Sequence, residues 1–276
     1  MSEKIKLDNC NISYIQSKED GIPVIFVHEN SLSSITFRDI LKTDLGKKYR
    51  LIAFDLPGHG DSSYSDNPIE DYSMPGLVNI LKKVASHLYA ENAVLVGHGL
   101  GGHIILESLH EMPWVRGICL FGAPPLCTFQ QLYQAYRAKG GFNILFKGQL
   151  TEKELDNLAK AYTVEEYEYG VKEIIKKADY RFRKYFGNWI KTGEFINHKE
   201  LLRHYNVPVA ILHGEYDKLV NVDYLMNLKI DNLWGNEIKI ILNTTHCPQI
   251  ENKKRFTYML EDFLDFVSGA KDVNPV

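Results

Sequence analysis

Short apolar runs recur along the chain, and each ends in a polar or glycine-rich stretch. They cover residues 23–27, 51–54, 93–96, 118–121, 207–212 and 238–242. Continuous apolar runs of this length are typical of parallel strands that are buried on both faces. Between them, helical periodicity covers residues 76–89, 102–111 and 253–268. The alternation predicts an α/β protein with a mostly parallel sheet and helices on both faces. Residues 4–16 alternate instead, which predicts an N-terminal hairpin.

One long interval interrupts this alternation. Residues 126–204 contain no convincing strand, are rich in Tyr, Phe, Lys and Glu, and show helical periodicity, for example over 151–162. An insertion of that size between two strands is more consistent with a helical cap than with a structureless loop. We therefore predict a core of residues 1–125 and 205–276 with a cap of residues 126–204.

Composition and charge narrow the class of protein. The chain has 276 residues, of which 45% are hydrophobic and 24% charged, and its net charge is −3. These values predict a soluble globular protein, and they give no reason to expect nucleic acid or a membrane as a partner. The N-terminus has no apolar signal core, and the four cysteines match neither a zinc site nor a redox pair. We expect a cytoplasmic location.

A glycine-rich turn follows the third apolar run. Residues 97–102 read Gly-His-Gly-Leu-Gly-Gly and connect a predicted strand to a predicted helix. The nucleophile elbow G-x-S-x-G of serine hydrolases occurs in this strand–turn–helix context. Gly99 stands at the nucleophile position, where it satisfies the demand on the backbone but offers no oxygen for attack.

The same turn also matches the dinucleotide fingerprint G-x-G-x-x-G. That fingerprint expects an acidic residue about 20 positions later, at the end of the next strand. The next strand ends in Leu-Phe-Gly-Ala-Pro over residues 120–124, which contains no carboxylate. A dinucleotide site is therefore disfavoured.

An acid and a base follow in the order that an α/β-hydrolase triad requires. Asp217 comes after the fifth apolar run, and His246 comes after the sixth, just before the final helix. Asp217 would orient His246, and His246 would accept the nucleophile's proton. Glu215 remains an alternative acid, because loop registers slip by a residue or two.

Four further residues are candidates for the site. The oxyanion hole needs two backbone N–H groups, which we assign to Leu100 and to Asn30, whose side-chain amide is a further donor. His98 adjoins the nucleophile position and is a candidate for substrate binding. Glu29 is a second such candidate, unless its side chain points into solvent. No metal-binding pattern is present, and we expect neither a metal nor another cofactor.

These motifs resemble the α/β-hydrolase superfamily over nearly the whole chain. The resemblance rests on His28-x-Asn30, residues 55–62 (Asp-Leu-Pro-Gly-His-Gly-Asp-Ser), the elbow at 97–102, Gly214-x-x-Asp217 and His246. Within the superfamily the chain is similar to the bacterial N-acyl-homoserine lactone lactonases, through the stretches at 72–74, 116–117, 122–125 and 231–234. Two residues depart from the pattern: the lactonases have Ser where Gly99 stands, and the usual His-Gly of the oxyanion loop is His28-Glu29.

The resemblance implies opening of a homoserine lactone ring without a cofactor, and a role in degrading quorum-sensing signals. It also implies that the cap lines a channel for the acyl chain. Because Gly99 replaces the nucleophile, we expect substrate binding with almost no turnover, and we expect a serine at position 99 to create activity that depends on His246 and Asp217. A general esterase and a receptor without catalysis are the alternatives. A receptor does not need a base, so the retained Asp217 and His246 favour an ester or lactone hydrolase whose serine has been exchanged.

Overall fold

Eight strands form one sheet. The computed structural model describes residues 2–7, 10–18, 20–137, 142–192, 194 and 196–270. The strands within these ranges are Glu3–Lys6 (β1), Asn11–Gln16 (β2), Pro23–Val27 (β3), Arg50–Phe54 (β4), Val94–His98 (β5), Gly117–Phe121 (β6), Val209–Gly214 (β7) and Lys239–Ile241 (β8). Their order in the sheet is β1-β2-β4-β3-β5-β6-β7-β8. β1 pairs antiparallel with β2 and β2 with β4, and the other neighbours are parallel.

The helices cover both faces of this sheet and fill the long interval between β6 and β7. They are Arg38–Leu41 (α1), Asp44–Lys48 (α2), Pro68–Asp71 (α3), Met74–His87 (α4), Leu100–Ser108 (α5), Leu132–Ala135 (α6), Glu152–Tyr162 (α7), Glu165–Lys177 (α8), Tyr180–Ile190 (α9), His198–Tyr205 (α10), Val222–Met226 (α11), Pro248–Glu251 (α12) and Lys253–Val267 (α13). Short 3-10 helices occupy Ser34–Phe37, Leu109–Glu111, Phe129–Gln131, Phe142–Phe146 and Trp234–Asn236.

The apolar runs are buried because the sheet has a packed layer on each side. In the central strand β5, Val94, Leu95 and Val96 are all buried. Leu95 belongs to one hydrophobic cluster, whereas Val94 and Val96 belong to a second one. Successive side chains of a strand point to opposite faces, so a strand between two layers has to be apolar at every position.

Two glycines let α5 approach β5 closely. A Cβ atom on Gly97 would clash with the backbone of Gly102, and one on Gly102 would clash with Ala123. The helix can therefore begin directly after the strand and lie against it. Residue 99 is held in the turn between them, at the carboxyl end of the central strand.

The helical segment between β6 and β7 is fixed to the loop that follows β3. The buried Arg183 of α9 donates to the Ser31 hydroxyl at 2.9 Å and to the carbonyl oxygens of Lys147 and Gly148. The Tyr162 hydroxyl at the end of α7 donates to the Asn30 carbonyl oxygen at 2.8 Å. The helices thus hold the backbone of the predicted oxyanion loop.

The predicted fold class is confirmed: the sheet is mostly parallel and carries helices on both faces. The N-terminal hairpin is present, although its residues 8 and 9 lie outside the described ranges. The last strand, predicted over residues 238–242, is shorter, because only Lys239–Ile241 pair with β7. Helices α6 to α9 lie within residues 126–204. The division into core and cap stays a prediction, and we call residues 126–204 the cap below.

Among the described residues, every helix is too short or too polar to cross a bilayer.

Truncation of Phe256 in α13 should destabilise the fold. This side chain is fully buried and contacts Phe121 of β6 at a ring-centroid distance of 5.0 Å. Phe256→Ala leaves a cavity and should lower the free energy of unfolding by about 3–5 kcal/mol. Tyr258→Ala is the matched control on the same helix, since Tyr258 is 54% exposed, and it should change stability by about 0.5 kcal/mol or less. Urea denaturation measures both, and equal effects would contradict the assignment of this core.

Candidate active site

Gly99 occupies a strained turn that suits glycine. Its φ is +49° and its ψ is −113°, and its N–H donates to the Phe121 carbonyl oxygen at 2.9 Å. The left-handed region of φ is costly for residues that carry a Cβ atom. A nucleophile elbow holds its central residue in such a turn so that the side chain points away from the sheet.

Asp217 and His246 form a buried pair beside this turn. The His246 Nδ1 atom lies 2.8 Å from the Asp217 Oδ2 atom, and the two side chains are 1% and 2% exposed. The Asp217 Oδ1 atom accepts the backbone N–H groups of Leu219 at 2.8 Å and Val220 at 3.0 Å. These bonds fix the carboxylate, which in turn fixes the imidazole ring.

The alternative acid, Glu215, points elsewhere. Its Oε2 atom accepts the N–H group of Asn243 at 2.9 Å, on the exposed side of the loop. Asp217 is therefore the carboxylate of this loop that contacts His246. Burial acts to raise the pKa of Asp217, but the neighbouring His246 and the hydrogen bonds outweigh it and lower that pKa.

Glu29 lies inside the site, not in solvent. It is only 3% exposed, and its carboxylate occupies the space that a side chain at position 99 would fill: a Cβ atom on Gly99 would overlap Glu29 Oε2. Oε2 accepts the N–H group of Leu100 at 3.2 Å, and Oε1 accepts the N–H group of Asn30 in a short hydrogen bond. Both predicted oxyanion donors therefore bond to the Glu29 carboxylate, Leu100 to one of its oxygens and Asn30 to the other.

His246 is held between two carboxylates. Its Nε2 atom lies 3.3 Å from Glu29 Oε2, opposite the bond from Nδ1 to Asp217. Burial alone would lower the pKa of His246, but the two carboxylates outweigh burial and raise that pKa to about 10. At neutral pH the ring is therefore an imidazolium, which can donate a proton but cannot accept one.

Two candidate side chains, those of Asn30 and His98, are bonded to protein groups and are not available to a ligand. The Asn30 side-chain amide donates to the Leu145 carbonyl oxygen of the cap at 3.0 Å, so it is not free for the oxyanion. The His98 ring stacks on Phe121, and its Nε2 atom donates to the His246 carbonyl oxygen at 2.9 Å. Burial lowers the pKa of His98 well below its usual range and keeps the ring neutral. These contacts give His98 a role in positioning the His246 backbone.

Tyr162 completes the support of the site and was not among the candidates. Its ring stacks on the His246 ring at a centroid distance of 5.5 Å and an interplanar angle of 12°. Its hydroxyl holds the Asn30 carbonyl oxygen, so one cap residue orients both the base and an oxyanion donor. The only sequence signal was its place in a helical cap rich in aromatic residues.

A narrow apolar pocket lies between Leu100 and the cap. Its cavity volume is about 40 Å³, enough for a few water molecules, so a larger ligand enters only if cap side chains move. Its walls are mostly apolar or aromatic, and they include Met74, Leu126, Leu132, Tyr136, Phe142, Leu145, Phe146, Phe186, Ile190 and Leu219. Glu29, Asn30, His103 and His246 are its polar members.

One group of side chains in the described part of the chain has the composition of a metal site. Nitrogen or oxygen atoms of Glu29, His98 and His246 lie within 4.8 Å of one another. Both ring nitrogens of His98 and Nδ1 of His246 are engaged in hydrogen bonds to protein groups. The arrangement is therefore that of an ion pair with supporting hydrogen bonds.

The protonation of His246 provides a test of this geometry. In the native chain its pKa should be near 10, above the ordinary 6.5. The stabilising contribution is thus fully present below pH 6.5 and is lost as the pH rises towards 10. Glu29→Gln removes one of the two carboxylates and should lower the pKa of His246 by about 1 to 3 pH units. The imidazole proton resonances, followed by NMR against pH, measure this pKa.

Glu215→Gln is the control for that titration, because Glu215 is the nearby carboxylate that does not contact His246. It should leave the pKa of His246 unchanged. A native chain in which His246 titrates near 6.5 would contradict the ion pair with Glu29.

Comparison with known proteins agrees with the fold. A model of the Alpha/beta hydrolase family matches residues 24–257. The AB hydrolase superfamily protein YisY of Bacillus subtilis (strain 168) is 26% identical over 281 residues, which cover 95% of this chain and 99% of that protein.

Solved structures of the N-acyl homoserine lactonase AidH are also similar. A serine-to-glycine mutant of AidH complexed with N-hexanoyl homoserine lactone has a TM-score of 0.91 and 28% identity, covering 98% of this chain and 99% of that one. AidH complexed with N-butanoyl homoserine has a TM-score of 0.91 and 27% identity, with coverages of 99% and 100%. The match of the family model over most of the chain shows that the chain belongs to the alpha/beta hydrolase family.

Proposed function

We propose that this chain binds small acyl esters or lactones, with N-acyl homoserine lactones as the preferred class, and that it lacks the serine route for opening them. One observation supports the proposal: the Asp217–His246 pair and the N–H groups of Leu100 and Asn30 lie close together beside residue 99. An orienting acid, a base and two oxyanion donors are what acyl transfer requires besides a nucleophile.

The shape of the pocket supports an acyl ligand. Its polar members include Glu29, which lies against Gly99, and His246, which contacts Glu29, and the cap contributes apolar and aromatic walls. A ligand with a carbonyl head and an apolar chain would place the carbonyl at the oxyanion donors and the chain among the cap side chains. The complexes of AidH with N-hexanoyl homoserine lactone and N-butanoyl homoserine make the acyl lactones the first class to test. In a form with the serine, hydrolysis of such ligands would remove quorum-sensing signals.

Gly99 and Glu29 complement each other in size. The absence of a side chain at position 99 leaves space at the turn, and the Glu29 carboxylate fills it. A serine at position 99 would overlap Glu29 Oε2, so serine alone does not restore the site. This fit favours a chain in which both residues belong together over one in which the serine alone was exchanged.

A ligand-binding protein without hydrolytic activity is the second candidate. Two observations favour it: Glu29 occupies both oxyanion donors, and His246 is held as an imidazolium that cannot accept a proton. This alternative is correct if the chain binds an acyl lactone but neither the native chain nor the variants with Glu29→Gly and Gly99→Ser hydrolyse it.

Exchange of both complementary residues should create a serine hydrolase. Glu29→Gly frees the oxyanion donors and removes one of the carboxylates that hold His246 protonated, and Gly99→Ser supplies the nucleophile. Loss of a triad serine lowers kcat by about 10⁶ in a serine protease, so the double variant should exceed the native chain in hydrolysis of N-hexanoyl homoserine lactone by roughly 10³-fold or more. Each single variant should stay close to the native rate. Product formation is followed by chromatography.

Two further substitutions control that experiment. In the double variant, His246→Ala should abolish the gained activity, and Asp217→Asn should reduce it by a smaller factor. Glu215→Gln should leave it unchanged, since Glu215 does not contact His246. If the double variant folds but hydrolyses no lactone or ester faster than the native chain does, the proposed roles of Asp217, His246 and the two N–H donors in acyl transfer are wrong.

The cap should set the preference for acyl chain length. Phe186 lines the pocket and is 4% exposed. Phe186→Ala would make room for about two more methylene groups, and burying them contributes about 1.6 kcal/mol. Affinity for the octanoyl lactone relative to the hexanoyl one should therefore rise about tenfold, measured by titration calorimetry. Tyr169→Ala is the control at an exposed cap position (79%), and it should leave the ratio of the two affinities unchanged. If Phe186→Ala also leaves this ratio unchanged, the cap does not set the preference for acyl chain length.

A further inference from the structure

The Glu29 carboxylate lies where the nucleophile of an elbow would lie, and hydrolysis by a serine at position 99 does not require this carboxylate. Its Oε2 atom occupies the space of the missing side chain of residue 99, 3.3 Å from the His246 Nε2 atom. It borders the apolar pocket, so a ligand in that pocket would meet it.

We propose that Glu29 is itself a nucleophile, and that the native chain hydrolyses small apolar epoxides through an ester formed on the Glu29 carboxylate. This activity goes beyond the proposed function and shares with it the pocket, the Asp217–His246 pair and the N–H groups of Leu100 and Asn30. Carboxylates are established covalent nucleophiles in other hydrolases, where a neighbouring base completes the reaction.

The hydrogen bonds of Glu29 decide which carbon it can attack. Attack on an acyl carbon generates an oxyanion on the substrate, which needs donors of its own. The N–H groups of Leu100 and Asn30 are already bonded to the two Glu29 oxygens. Attack on a saturated carbon generates no oxyanion at the attacked carbon. The native site therefore favours an alkylating substrate over an acylating one.

The other groups of the site favour an oxygen leaving group in an apolar molecule. The His246 imidazolium lies against Glu29 Oε2 and can donate its Nε2 proton to an oxygen that leaves beside it. An epoxide has such an oxygen and an electrophilic saturated carbon. The pocket walls are mostly aliphatic or aromatic, which suits an alkyl substituent on the ring.

The first step forms one C–O bond and breaks another. Glu29 Oε2 attacks a ring carbon, the C–O bond of the epoxide breaks, and the released oxygen takes the Nε2 proton of His246. The product is a hydroxyalkyl ester of Glu29 beside a neutral imidazole. Because the negative charge of Glu29 has disappeared, the imidazole can now act as a base.

The second step uses the same donors on Glu29 itself. A water molecule gives a proton to His246 and attacks the Glu29 carbonyl carbon. The oxyanion of this tetrahedral intermediate develops on Glu29 Oε1, to which the Asn30 N–H donates, while the Leu100 N–H lies at the ester oxygen Oε2. Collapse releases the alkoxide, which takes a proton from His246 to give the diol. The new carboxylic acid then returns its proton to His246, which restores the carboxylate and the imidazolium.

A single-turnover experiment in ¹⁸O-water tests this route on the native chain. With protein in excess over 1,2-epoxyhexane, the oxygen added to the diol comes from Glu29, so the diol should be unlabelled and the peptide that contains Glu29 should carry ¹⁸O. A labelled diol with an unlabelled peptide means direct attack by water and overturns the proposal. Failure to form the diol above the rate without protein overturns it as well.

Substitutions locate the ester. Glu29→Gln keeps the size of the side chain and should lower diol formation by at least 10³-fold, while Glu215→Gln should keep the native rate. In His246→Gln the proton donor of the first step and the base of the second are both missing, so diol formation should fall by at least 10³-fold. When the single turnover of the native chain is stopped early by acid, mass spectrometry should find the hydroxyalkyl group on the peptide that contains Glu29. Native-like diol formation in Glu29→Gln would overturn the proposal. If Glu29→Gln does not fold, the isotope experiment on the native chain decides alone.

Binding of N-hexanoyl homoserine lactone to the same preparation separates this inference from the proposed function. If the lactone binds but no diol forms, only the proposal that Glu29 is a nucleophile is overturned. If the diol forms but the lactone does not bind, only the assignment of acyl lactones as ligands is overturned.

Discussion

The close packing of α5 against β5 is the constraint on which the site depends. Gly97 and Gly102 allow a helix to leave the central strand without an intervening loop. The turn places residue 99 at the carboxyl end of the sheet, and it points the first N–H of the helix, that of Leu100, into the same space. Because neighbouring strands run parallel, the loops after β3, β7 and β8 end at the same edge and bring Glu29, Asp217 and His246 to this turn.

The charged groups at this edge of the sheet are buried and depend on one another and on backbone hydrogen bonds. Two carboxylates with one imidazolium between them leave one net negative charge, which the backbone N–H groups of Asn30, Leu100, Leu219 and Val220 stabilise. Buried charges persist in proteins when they are paired and hydrogen-bonded in this way. Glu29 thus takes the N–H groups of Leu100 and Asn30 as its own hydrogen-bond partners, and its carboxylate favours the protonated state of His246.

The cap takes part in this arrangement through its own hydrogen bonds. Arg183 and Tyr162 hold the loop after β3 through Ser31 and Asn30, and Tyr162 also stacks on His246. Movements of the cap that admit a ligand into the narrow pocket would therefore also act on the oxyanion loop. Leu145 of the cap lines the pocket, and its carbonyl oxygen accepts the Asn30 side-chain amide, so a movement of this residue would act on the loop that carries Glu29.

The sequence by itself determined the sheet, the elbow and the order of the acid and the base. Runs of apolar residues specify buried parallel strands, and residues directly after such strands have to meet at one edge, so Gly99, Asp217 and His246 could be placed from their positions in the chain alone. Only the tertiary structure decided where Glu29 points, because that depends on the space left empty by a glycine 70 residues away. It also chose Asp217 over Glu215, since two carboxylates on one loop differ only in the direction that the folded backbone gives them. The signal for Glu29 was present as two departures from one pattern, a larger residue at 29 and a smaller one at 99, but their complementarity appears only when both side chains occupy the same volume.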